Sequence, residues 1–142
     1  MKVIIVSILT WLWTVSYSQD LSLTIELEGL KNRKGQVVLD IFHGEKGFPM
    51  KTEYAIKRQV LKLTEDGKLE FIVANLPVGE YAFALFHDTN LNEKLDVNFL
   101  GIPKEGACAS NNAKGFMSPP KYSTARFQLQ KEMKMKIKML YF

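Results

Sequence analysis

Apolar and polar residues alternate along most of this chain. Leu21, Leu23, Ile25 and Leu27 are separated by Ser22, Thr24, Glu26 and Glu28. A period of two puts each set on its own face, so the segment predicts a half-buried β-strand. The pattern returns at Val37, Leu39 and Ile41, with Phe42 facing the other way, and at Leu69, Phe71 and Val73. It returns again at Ala125, Phe127 and Leu129, then at Met133, Met135, Ile137 and Met139. Ile56, Val60, Leu61 and Leu63 predict a further strand, weakened by Lys57-Arg58-Gln59. Tyr81 to Phe86 is apolar on both faces, which predicts a central strand covered on both sides.

Turn chemistry separates these runs. Glu65-Asp66-Gly67-Lys68 predicts a hairpin, because Asp-Gly tolerates positive φ. In Leu76-Pro77-Val78-Gly79-Glu80-Tyr81, Pro77 fixes φ and Gly79 is expected to take a conformation closed to other residues. No segment holds a helical period. The stretch 88–122 is polar, broken by glycines and prolines, and too long for a simple connector. About seven short strands with one long loop region predict an all-β fold, an antiparallel β-sandwich, with a small barrel as the alternative.

The N-terminus breaks this pattern. Lys2 precedes an uncharged apolar run from Val3 to Val15, and Ser16 and Ser18 stand at −3 and −1 of a cleavage site before Gln19. Residues 1–18 therefore read as a signal peptide and 19–142 as one β-sandwich domain, exported to the periplasm or cell envelope of a Gram-negative bacterium. The apolar run is short for a membrane span, and no transmembrane segment is expected after cleavage. The net charge of +4 is mild and does not call for nucleic acid. Lys134, Lys136 and Lys138 alternate with Met135 and Ile137, which predicts a solvated face or a protected sheet edge. The single cysteine, Cys108, cannot form an internal disulfide and reads as a small packed residue.

Candidate chemistry begins where the Tyr81–Phe86 run stops. Asp88, Asn90, Asn92 and Asp96 offer side-chain oxygens, and Lys94 a backbone carbonyl. Calcium takes about six to eight oxygen ligands, and a loop supplying one at every second residue can wrap it. Position twelve, counted from Asp88, is Phe99, so the bidentate glutamate of an EF-hand is absent. The same residues also suit Asx-turns, in which Asp and Asn side chains accept backbone N–H groups two residues on. Calcium is the one cofactor expected. His43, His87 and Asp88 give an alternative, an enzyme site around a transition metal. Ser110, Asn111, Asn112, Phe116 and Tyr122 could hold a sugar through amides and stacked rings. No nucleophile elbow, phosphate loop or zinc spacing is present in the sequence. The chain thus reads as a non-enzymatic binding or accessory module whose partner is an envelope protein or a glycan. A purely structural envelope protein is a further alternative.

Several pieces carry a family resemblance. Asn75-Leu76-Pro77-Val78-Gly79-Glu80-Tyr81 resembles the turn signature of prealbumin-like and carboxypeptidase-regulatory-like sandwiches. Together with Lys34-Gly35-Gln36-Val37, the string His87 to Asp96, Gly101 to Gly106 and Ser110-Asn111-Asn112, it resembles the bacterial domain of unknown function 2141 family from about Leu21 to Tyr141. The resemblance implies an exported immunoglobulin- or prealbumin-like β-sandwich and no assigned activity. One position departs from the family pattern: Glu93 stands where glycine is usual. A glycine there, sixth in a calcium loop, makes the sharp turn that brings later ligands round.

Overall fold

In a computed structural model the described residues are 20–142, so the expected signal peptide lies outside them. The strands are β1 (Leu21–Glu28), β2 (Gln36–Phe42), β3 (Lys57–Lys62), β4 (Glu70–Leu76), β5 (Gly79–Asp88), β6 (Ala107–Ala109), β7 (Phe127–Leu129) and β8 (Met133–Lys138). They form two sheets, a three-stranded one ordered β4-β1-β8 and a five-stranded one ordered β3-β2-β5-β6 with β7 also on β5. The inner faces meet in one core, to which β1 gives Leu23, Ile25 and Leu27, β2 gives Val37, Leu39 and Ile41, and β5 gives Phe83 and Leu85. These are the alternating positions, which is why the period of two predicts them.

β5 is the central strand. It pairs with β2 along one side, while β6 and β7 share its other side at Ala84–Phe86 and Gly79–Tyr81. The outer face of this sheet is covered too: every residue of β2 is buried, and Ala82 packs with Ala109, Ala125, Phe48 and Tyr122. The sheet is therefore sandwiched between the core and a layer of loops.

Four expectations change. An eighth strand, β6, lies inside the region taken as loop; Ala-Cys-Ala is too short and uniform to alternate. β8 runs parallel to β1, Leu23 opposite Met133, although the other pairings of named strands are antiparallel. Ala125 closes a single helical turn, Tyr122–Ala125, and the strand starts at Phe127. Neither Gly67 nor Gly79 has a positive φ; in the Leu-Pro turn that role falls to Asn75, at φ 58°. The turn is locked instead by Tyr81, whose Oη donates to the Pro77 carbonyl at 2.8 Å. A Cβ at Gly79 would lie 3.4 Å from the Tyr81 ring, an ordinary packing distance, so neither φ nor space demands glycine there.

The two flanks between the sheets close differently. On one, Ala107 and Leu140 exchange backbone hydrogen bonds. Beside them Asn112 acts as a substitute strand, donating to the Lys136 carbonyl (3.2 Å) and accepting Lys138 N–H (2.9 Å). On the other flank side chains of β3 reach carbonyls of β4: Lys57 to Ala74, and Gln59 to Ile72 at 3.2 Å. The lysines of β8 are exposed as expected, and Lys134 Nζ meets Glu26 at 2.6 Å. That hydrogen bond holds the Glu26 carboxyl below its usual range. The Cys108 side chain packs against the core, and burial pushes its thiol up, away from the thiolate a nucleophile needs. Among the described residues no helix is long and apolar enough to cross a membrane.

Candidate functional site

The excursion between β5 and β6 starts from a buried carboxylate. Successive strand residues face opposite ways, so His87 points toward the core and Asp88 toward the outer face. Both are fully buried. Asp88 lies opposite Gln36 in the β2–β5 ladder, and Gln36 Nε2 donates to Asp88 Oδ2 at 2.8 Å. The chain then curls back. Asn92 N–H donates to Asp88 Oδ1 (3.1 Å) and Glu93 N–H to Oδ2 (2.9 Å). One carboxylate thus ties a strand 52 residues away to the fifth and sixth positions of its own loop.

A second cluster sits further along. Asn90 Nδ2 donates to Asp96 Oδ2 (2.6 Å), and Asn92 Nδ2 to both oxygens of Asp96 (3.2 and 3.3 Å). The Asn92 side-chain Oδ1 accepts Lys94 N–H at 2.9 Å, an Asx-turn. Asp88, Asn90, Asn92 and Asp96 are therefore joined in one network. Lys94 enters it only through its N–H. Glu93 adopts φ 58°, the left-handed conformation that the glycine of the family pattern would take easily, and Leu91 adopts φ 63°.

Three further residues brace the excursion, and none has a chemical signature in the sequence, although Gly35 and Glu105 fall within the family strings. Glu105 is buried and accepts from Thr89 N–H (2.9 Å), Thr89 Oγ1 (3.1 Å) and Asp96 N–H (3.3 Å), closing the loop at its base. Gly35 packs so closely that a Cβ would lie 2.1 Å from the Asp88 carbonyl oxygen, at φ +78°. Arg58 grips buried Asp40 with two bonds of 2.7 and 2.8 Å and reaches the Glu93 carbonyl at 3.4 Å. The paired carboxylate pushes the Arg58 guanidinium above its ordinary value.

The histidines do not meet. His87 opposes Val37 and Phe42 opposes Ala82, so His43 lies at the other end of the ladder, ~20 Å away at strand spacing. His43 is exposed and tilted over Tyr81, ring centroids 5.2 Å apart. His87 Nε2 faces the Lys34 carbonyl at 2.7 Å and therefore carries a hydrogen, while Nδ1 faces Tyr141 Oη at 2.7 Å. Both ring nitrogens serve the framework. Among the described residues no three His, Cys, Asp or Glu side chains gather to hold a metal ion. The expected transition-metal triad of His43, His87 and Asp88 is not assembled.

The sugar-binding set is likewise dispersed into structural roles. Ser110 Oγ donates to the Ala125 carbonyl (2.6 Å) and accepts Phe83 N–H (3.0 Å) while fully buried. Asn111 Nδ2 bonds the Ala125 and Arg126 carbonyls, and Asn112 covers β8. Tyr122 Oη accepts Gly44 N–H at 3.1 Å. Phe116 alone of this set stands free, 93% exposed. This segment lies beside Ala82 and Phe83, so it and the Asp88 loop occupy opposite ends of one face rather than a shared surface.

Such an architecture defines an all-β sandwich that presents a long loop anchored by side chains to its central strand. The chain belongs to the bacterial family described as "Uncharacterized protein conserved in bacteria (DUF2141)", which matches residues 25–138. That span includes the second half of β1, all of β2 to β8 and the whole excursion. No curated protein matches the chain. No solved structure matches it.

Proposed function

We propose that this protein is an exported, non-enzymatic binding or accessory module of the cell envelope, working through the 88–106 excursion, which calcium orders at Asp88, Asn90, Asn92 and Asp96. The observation that carries the reading is convergence: the Asn90 and Asn92 amides both lie within hydrogen-bond distance of the Asp96 carboxylate. A half-turn of each terminal amide directs its oxygen, rather than its nitrogen, to the same point. The backbone supports this, because Glu93 already holds the left-handed turn that the sixth position of a calcium loop needs. Asp88 further resembles a loop-opening ligand in taking the N–H groups of positions five and six. The non-enzymatic part draws support from His87, whose ring nitrogens are both engaged.

Thermal unfolding in chelator and in millimolar calcium, for wild type and Asp96→Ala, tests the calcium reading. Asp96 is the better variant because Asp88 also holds the fold together. Calcium at about a hundred times its dissociation constant adds ~2.7 kcal/mol, several degrees in the midpoint. The rise should vanish in Asp96→Ala. An unchanged wild-type midpoint would leave the loop to its Asx-turns and favour a structural role. A stoichiometric zinc or iron complex lost in His87→Ala would overturn the non-enzymatic reading.

A further inference from the structure

Both stems of the 88–106 excursion meet one side chain, Tyr141. At the base of the excursion His87 N–H donates to the Gly106 carbonyl at 2.8 Å. Tyr141 reaches each member of that pair. Its Oη lies 2.7 Å from His87 Nδ1. Its ring fills the space where a Gly106 side chain would stand: a Cβ there would lie 2.7 Å from the ring and 2.8 Å from Met139 Cγ. Gly106 does not have a positive φ, so close approach rather than backbone conformation calls for glycine.

The phenol is one link in a polar chain that begins and ends in the connection between β1 and β2. Lys31 N–H donates to Tyr141 Oη at 3.2 Å. His87 Nε2 carries its hydrogen toward the Lys34 carbonyl, so Nδ1 is the acceptor and the Tyr141 O–H the donor. The order is Lys31 N–H, Tyr141 O–H, His87 and the Lys34 carbonyl. Hydrogen bonds in line polarise one another. His87 is fully buried, so water does not readily replace a lost partner. Outside the chain, Lys31 Nζ sits 4.4 Å from the centre of the Tyr141 ring, and Leu140 exchanges backbone hydrogen bonds with Ala107. Residues 139–141 follow β8, which belongs to the three-stranded sheet, whereas the stems belong to the five-stranded one. They form a strap from one sheet across the base of the excursion on the other.

We propose that Tyr141 is a positioning residue for the excursion: seated, it holds the two stems together, and unseated it lets residues 88–106 open while the sandwich stays folded. The proposal rests on the reading above in taking the excursion as the working surface, and it does not require calcium.

Amide exchange followed residue by residue by NMR, in chelator, tests it. The amides to watch are Thr89, Asn92 and Glu93, which bond Glu105 and Asp88 inside the excursion. Tyr141→Phe keeps the ring against Gly106 and removes the bond to His87, and these amides should exchange about tenfold faster, the worth of one hydrogen bond. Gly106→Ala leaves residue 141 intact but pushes the strap off, and should do the same. In the double variant the two accelerations should fall short of multiplying, because both break one clamp. The His87 Nδ1 resonance in Tyr141→Phe should move toward that of a free, unprotonated ring nitrogen. Tyr81→Phe also loses a phenol bond, to Pro77 near the start of β5, and should leave the three amides unchanged. A merely structural Tyr141 would speed only amides that exchange through global unfolding, leaving Thr89, Asn92 and Glu93 at wild-type rates. That result, or accelerations that multiply in full, would overturn the proposal. A faster loop in chelator upholds the clamp even where calcium fails to shift the midpoint.

Discussion

Replacing Asp88 by alanine should destabilise the fold even in the absence of any ion. The carboxylate is fully buried and accepts from Gln36 Nε2, Asn92 N–H and Glu93 N–H at 2.8, 3.1 and 2.9 Å. Hydrogen bonds to a charged group are each worth about 1.5–3 kcal/mol, and a buried donor left unsatisfied costs about 1–3. Two of the donors belong to exposed loop residues, which water can reach once the loop loosens. Gln36 is 5% exposed and is not reached so easily. Relief from burying the carboxylate offsets part of the loss. The net cost is then about 3–4 kcal/mol, or roughly 10–15 °C in midpoint for a chain of this size. Asp88→Asn retains one acceptor and the shape, and should cost about 1–2 kcal/mol. Urea unfolding in chelator measures both, with an unchanged slope confirming that the change lies in stability. A loss below about 1 kcal/mol for Asp88→Ala in chelator would refute the anchoring role and leave Asp88 as an ion ligand only.

Glu93→Gly should stabilise by up to about 1 kcal/mol, since a non-glycine residue in the left-handed region costs about 1–2 and glycine's extra chain entropy returns part of it; calorimetry would show it, together with tighter calcium binding if the loop holds the ion. Gly35→Ala should cost more than about 3 kcal/mol or prevent folding, because the new Cβ would meet backbone of Asp88 and Thr89 at 2.1 and 2.8 Å, neither of which can move aside; soluble yield and midpoint check it. Burial raises the Tyr141 phenol above its ordinary value of 10. The folded state therefore keeps that proton longer than the unfolded chain, and stability falls as pH rises through 10 toward the raised value. Tyr141→Phe should show a shallower alkaline loss in urea unfolding between neutral pH and 11, after an initial cost of about 1–2 kcal/mol for the bond to His87.

The strands were legible because each buries one face, and a half-buried strand must alternate. β5 broke that alternation for an equally readable reason, being covered on both sides. β6 was hidden because Ala107-Cys108-Ala109 gains its place from pairing with Leu85 and its neighbours, not from any pattern of its own. The parallel pairing of β8 with β1 depends on how the sheets close, which local periodicity does not encode. At the candidate site the oxygen spacing from Asp88 to Asp96 pointed to calcium ligands or Asx-turns, and the same residues are joined by hydrogen bonds, one of them the Asx-turn from Lys94 N–H to Asn92 Oδ1. Its anchors, Gln36 and Glu105, come from distant segments and became visible only through the β2–β5 register and the loop's return. Ser110, Asn111 and Asn112 show the opposite failure. Polar composition announced available hydrogen-bonding groups, yet those groups satisfy the backbone of Phe83, Ala125 and Lys136.

The unequal flanks give the molecule a direction in which to breathe. Ala107 and Leu140 weld one seam with backbone bonds, whereas Lys57 and Gln59 merely button the other through flexible side chains. Opening should start at the buttoned seam, so amides of β3 and β4 should exchange with solvent before those of β5. The same lysine makes that opening safe. A foreign strand entering the gap would have to displace and bury its ammonium group, so the seam can part and reclose without recruiting a neighbour.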